Sequence, residues 1–102
     1  MLDEKILKEI KNICIKHQNI EKVILFGSRV IDKERYNSDI DLAIVGEFDF
    51  LFCERLKEEF ENMPTLLKFD VVDYNNITNG ELINDINKYG KVIYTKKVNQ
   101  FL

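Results

Sequence analysis

The sequence predicts an α/β domain, and three observations carry that expectation. Short, β-branched apolar runs at residues 23–26, 42–45, 66–72 and 92–94 read as strands. Between them lie segments whose apolar residues recur at helical spacing. Gly27, Gly46, Pro64 and Gly90 punctuate the boundaries, as residues that end strands or helices do. With 102 residues and 45% apolar content, the chain can bury one modest core, so residues 1–95 are expected to form a single domain followed by a tail, 96–102.

The first helix is expected over residues 3–17. Ile6, Leu7, Ile10, Ile13 and Cys14 share one stripe, Asp3 and Glu4 stand at its start, and Lys16 and His17 near its end. His17, the single histidine, reads as a solvated residue with no assigned role. A second helix is expected over 48–62, with Leu51, Phe52, Leu56 and Phe60 inward, and Met63-Pro64 stops it. A third spans 80–89, capped by Thr78 or Asn79 and ended by Gly90. Cys14 and Cys53 both fall in helical segments and read as packed thiols.

The chemistry concentrates between Val23 and Val45. The first strand breaks at Gly27-Ser28, where a glycine admits positive φ and a following helical turn would aim backbone N–H groups at an anion. Arg29, next to that turn, could pair with phosphate oxygens or lie on a solvated surface. The second apolar run opens on Ser38-Asp39-Ile40-Asp41. Residues two apart on a strand share a face, so Asp39 and Asp41 hold two carboxylates side by side. Like charges so placed call for a cation, and hard oxygen donors favour Mg²⁺. On the run at 66–72, Lys68 and Asp70 share one face and Phe69 and Val71 the other. An aspartate inside a buried strand costs heavily in desolvation unless paired or metal-bound, which makes Asp70 the third candidate carboxylate. Asp73, beside Tyr74-Asn75-Asn76, reads as a turn former. Lys68 could neutralise the carboxylates, touch phosphate or simply reach solvent. A phosphate cradle facing a metal seat suits transfer of a phosphoryl or nucleotidyl group.

Gly27-Ser28, ten intervening residues and Asp39-Ile40-Asp41 form a pattern that resembles the GS…DxD signature of the polymerase-β-like nucleotidyltransferase superfamily. The short chain and the phrase FGSR…SDIDLAI are similar to its minimal (MNT) branch, the antitoxin partners of HEPN ribonuclease toxins. A second glycine that often follows the serine is replaced here by Val30-Ile31-Asp32. The resemblance implies a mixed β-sheet flanked by helices, in the order α-β-(short α)-β-α-β-α-β. It implies two Mg²⁺ ions on Asp39, Asp41 and Asp70, ATP as donor cradled by Gly27 and Ser28, and AMP transfer to a hydroxyl, with a tyrosine of a HEPN toxin as acceptor. A catalytically silent antitoxin that masks its partner, and a subunit acting on a small molecule, are the competing expectations.

Net charge is −3, so no broad basic surface for nucleic acid is expected. The acidic start and the lack of an 18-residue apolar run exclude a secretory signal and a membrane span from the reading, and point to a soluble, cytoplasmic protein. Val98, Phe101 and Leu102 leave an apolar tail that could pair with a partner or a second copy.

Overall fold

The computed structural model describes residues 2–27 and 39–97. Helix α1 (Glu4–Ile15) leads into β1 (Ile20–Phe26); then come β2 (Ile40–Gly46), α2 (Phe52–Glu61), β3 (Phe69–Asp73), a 3₁₀ turn (Tyr74–Asn76), α3 (Gly80–Tyr89) and β4 (Lys91–Thr95). The short helix expected after the first strand, together with Ser28 and Arg29, lies outside the described residues. So does the tail from Val98 onward.

The four strands form one mixed sheet in the order β3-β2-β1-β4. β1 is antiparallel to both β2 and β4, while β2 and β3 run parallel. A parallel pair needs a crossover, and α2 supplies it. Alternation along the strands then builds two apolar layers. Val23, Leu25, Ile40, Leu42, Ile44 and Phe69 face α1 and α2, meeting Ile10, Cys14, Leu56 and Phe60. Ile24, Phe26 and Ala43 face the other way and meet Ile86 of α3. Each fully buried Leu, Ile or Phe in these layers contributes roughly 1.5–3 kcal/mol relative to exposure.

The helix ends follow local chemistry. Asp3 caps α1, its carboxylate accepting the Lys5 amide at 2.8 Å. Asn79 caps α3 by accepting from the amides of Glu81 and Leu82, as one of the two expected caps. Helix α2 starts four residues later than its apolar pattern predicts. Asp49 accounts for this: its carboxylate accepts the Leu51 amide at 3.0 Å and pairs with Arg55 at 3.2 Å, holding a turn ahead of the helix. That hydrogen bond from Arg55 is also the main cause holding the Asp49 carboxyl below its usual range.

β1 begins at Ile20, three residues earlier than expected, because the charged pair Glu21-Lys22 sits in the strand at a register irregularity. β3 begins three residues later than its apolar run. Leu66 is 98% exposed, and the strand starts where the Phe69 amide donates to Glu61 at 3.0 Å and the Phe69 ring stacks on Phe60 at 5.2 Å. His17 is not merely solvated. Its Nε2 meets both Glu59 oxygens, at 2.9 and 3.1 Å, and its ring stands edge-on to Phe52, so it ties the end of α1 to α2.

Both cysteines are free, Cys14 buried and Cys53 half-buried. Burial pushes the Cys14 thiol up to about 12 and Cys53 up to about 11. The thiolate is the reactive form, so native protein at pH 8 should react with a disulfide reagent far more slowly than unfolded protein, and Cys14 more slowly than Cys53. Two thiols titrating at once under native conditions would contradict this packing.

Candidate active site

The sheet end where β1 stops and β2 and β3 begin gathers the motif residues. β1 ends at Phe26, whose register partner on β2 is Asp41. Gly27 follows with φ of +83°, in the left-handed region that side chains other than glycine rarely adopt. A Cβ there would overlap Oδ2 of Asp41 and lie 3.1 Å from its Cγ. Gly27 is thus needed twice, for its backbone angle and for the room it leaves a carboxylate.

Asp41 lies within β2 between Ile40 and Leu42, both buried on the α1/α2 side, so its side chain lies on the α3 side with Phe26 and Ala43. Asp41 is half-buried and is engaged in interactions of its own. Asp39, two residues earlier and exposed, belongs to the same face by alternation. On β3 the register partner of Asp41 is Asp70. Adjacent strands are about 4.8 Å apart, and paired residues of a parallel ladder point to the same side. Asp41 and Asp70 are therefore neighbours across the ladder, with Gly27 on the other flank of Asp41.

The reason for expecting Asp70 needs correction. β3 is an edge strand, and Asp70 is exposed rather than buried. It avoids the desolvation cost that first singled it out. Its placement by register is the stronger ground. Asp73 pairs with Ile44 and sits three residues from Asp70, hence on the opposite face. Its carboxylate accepts from the Asn75 amide at 3.2 Å and from Asn76 Nδ2 at 3.0 Å, which makes it the cap of the 3₁₀ turn.

Among the described residues, no three His, Cys, Asp or Glu side chains are already gathered into a cation cage. The donor set still suits Mg²⁺. All three candidates offer hard carboxylate oxygens, and Mg²⁺ characteristically takes one or two protein carboxylates and completes its shell with water and substrate phosphates. Asp39 and Asp70, both exposed, are free of packing that would hold them from a cation. A broad groove of about 1840 Å³ lies at the opposite end of the sheet, lined by Ile15, Lys22, Val45, Tyr94 and Lys96 among others, and contains none of these residues. The contact between Gly27 and Asp41 escaped the sequence reading, which took the glycine only as a turn and backbone donor. The hairpin register that brings strand end to strand start is the signal that could have shown it.

A mixed sheet with helices on both faces, a positive-φ glycine against one carboxylate and a second carboxylate one strand over define an α/β domain with an acidic sheet end. The comparison with known proteins narrows the class. Residues 8–99 match the family described as Polymerase beta, Nucleotidyltransferase, and the chain belongs to that family. It is 45% identical over 51 residues to "Probable protein adenylyltransferase MntA" of Haemophilus influenzae, covering 48% of this chain and 45% of that relative, so this match spans less than half of the relative's length. A Methanocaldococcus jannaschii chain that also carries the name protein adenylyltransferase is 37% identical over 86 residues, covering 82% of this chain and 81% of that one.

Solved structures share the fold. A crystal structure of a toxin–antitoxin with AMP-PNP superposes with a TM-score of 0.72 at 21% identity, covering 94% of this chain and 76% of that one. A tri-AMPylated Shewanella oneidensis HEPN toxin in complex with MNT antitoxin gives 0.62 at 20% identity, covering 88% and 73%. No helix among the described residues is long and apolar enough to cross a membrane.

Gly27→Ala should destabilise the protein by about 1–2 kcal/mol for the backbone angle alone, and further if Asp41 has to move. Urea unfolding of Gly27→Ala, Asp41→Ala and the double variant tests the contact. A coupling of roughly 0.5–3 kcal/mol is expected for touching residues, whereas strict additivity would separate the two.

Proposed function

We propose that the chain is a Mg²⁺-dependent, cytoplasmic nucleotidyltransferase that moves AMP from ATP to a hydroxyl on a partner protein, and that it acts as an antitoxin toward a HEPN toxin. One observation carries the enzymatic reading: Asp41 and Asp70 are register partners on adjacent parallel strands, with Gly27 against Asp41. The names of the relatives, protein adenylyltransferases, and the toxin–antitoxin complexes that share the fold support the partner.

In this reading the acceptor hydroxyl oxygen attacks the α-phosphorus of ATP. A new P–O bond forms to the acceptor, the bond to the β-phosphate bridging oxygen breaks, and pyrophosphate leaves. Asp39, Asp41 and Asp70 would hold two Mg²⁺ ions, which supply charge neutralisation at the triphosphate and polarisation of the acceptor oxygen. Asp70, exposed on the edge strand, would accept the hydroxyl proton. Gly27, with Ser28 beyond it, would hold the β- and γ-phosphates so that attack is in line. Arg29 is the side chain that would add a guanidinium to them. The protein supplies no nucleophile of its own; it positions and neutralises.

The partner toxin incubated with the chain, ATP and Mg²⁺ should gain the mass of one or more AMP units. Asp41→Asn should remove that gain while leaving the circular dichroism spectrum unchanged. Tight binding without any mass gain, equal for wild type and Asp41→Asn, would overturn the enzymatic reading in favour of neutralisation by masking.

A further inference from the structure

Lys68 immediately precedes β3, and its carbonyl accepts the amide of Ile40 at 2.9 Å. That bond belongs to the parallel pair Ile40↔Phe69, and the same register carried back one residue sets Lys68 alongside Asp39. Leu67 and Phe69 both belong to the apolar layer under α1 and α2, so Lys68 lies on the opposite face, the face of Asp70. Its side chain is exposed. Across residues 39–46 and 65–76, the stretches that build this end of β2 and β3, Lys68 is the one cationic side chain beside Asp39, Asp41 and Asp70. Among the described residues its ammonium nevertheless joins no ion pair.

The strand order gives this cation a side. Gly27 follows β1, the aspartate pair is carried by β2, and Lys68 and Asp70 belong to β3 at the sheet's edge. If the triphosphate lies over Gly27, as the function proposed above requires, Lys68 is separated from it by the width of β2. In that arrangement it stands on the side left to the acceptor, beside Asp70 on the edge strand. Across those two stretches Lys68 is the side chain that could meet an acidic residue of the acceptor with opposite charge, and its attraction fades within about 8 Å at physiological salt. Only residues immediately beside the acceptor hydroxyl would feel the lysine.

Resting on that reading, we infer that Lys68 is a specificity-determining residue for the acceptor, selecting a hydroxyl flanked by acidic side chains rather than binding the nucleotide. Two synthetic peptides test this, one with tyrosine between glutamates and one with tyrosine between glutamines, each incubated with the full chain, ATP and Mg²⁺ at subsaturating peptide. Wild type should modify the glutamate peptide about fivefold faster, the ratio of an exposed ion pair near 1 kcal/mol, and high salt should erase the difference. Lys68→Ala should level the two peptides, Lys68→Arg should keep the preference and Lys68→Glu should invert it, all with an unchanged KM for MgATP. The inference is overturned if wild type shows no preference, if the preference survives in Lys68→Ala, or if Lys68→Ala raises the KM for MgATP. It is also overturned if the glutamate peptide gains no AMP, an outcome that leaves the enzymatic reading standing when the folded toxin is still modified and removes both when it is not.

Discussion

The register between β1 and β2 is the constraint on which the candidate site depends. Phe26 opposite Asp41 brings the end of one strand onto the start of the next, so that the residue after Phe26 must pass directly over a carboxylate. A glycine there satisfies both the turn and the close approach. Slipping the pairing by one residue would turn Asp41 toward the α1/α2 core and take Ile40, Leu42 and Ile44 out of it, at a cost of their packing there. The apolar layers thus hold the acidic face in place.

β3 is secured by other means. As an edge strand it has one neighbour, and its first residue is anchored from α2, through the Phe60 and Phe69 rings and the bond from the Phe69 amide to Glu61. Those anchors fix where Asp70 falls opposite Asp41. Asp70 stays exposed there, open to the acceptor that the proposed reaction requires. Helix α3, on the same side of the sheet, is held by Ile86 in the second apolar layer and by the 2.7 Å bond from the Tyr74 hydroxyl to Asn87.

Much of this was legible in the residues. The alternation IDLAIV sets Asp41 apart from Ile40 and Leu42, and the same period of two separates Phe69 from Asp70; both follow from strand geometry alone. Helix α3 falls on its expected residues, capped by Asn79, one of the two candidate caps, and followed by Gly90. What the sequence obscured were features set by distant contacts. The early part of β1 hides behind Glu21 and Lys22. The late start of α2 comes from the Asp49–Arg55 pair, and His17 acquires a partner only because α2 folds beside α1. The run at 66–72 reads as a buried strand, whereas Asp70 lies exposed on a sheet edge, and the pairing order that shows this is a property of the assembled sheet.

Binding of a divalent cation, measured apart from turnover, tests the central claim most directly. Mn²⁺ can be titrated into the protein with a non-hydrolysable ATP analogue present and its free concentration followed by electron paramagnetic resonance. Wild type should take up about two ions per chain, as two-metal sites do, Asp70→Asn should lose one, and Asp41→Asn should lose most of the binding. Equal uptake by all three proteins would contradict a shared cation on adjacent strands and leave Gly27 and the aspartates without the joint role assigned to them.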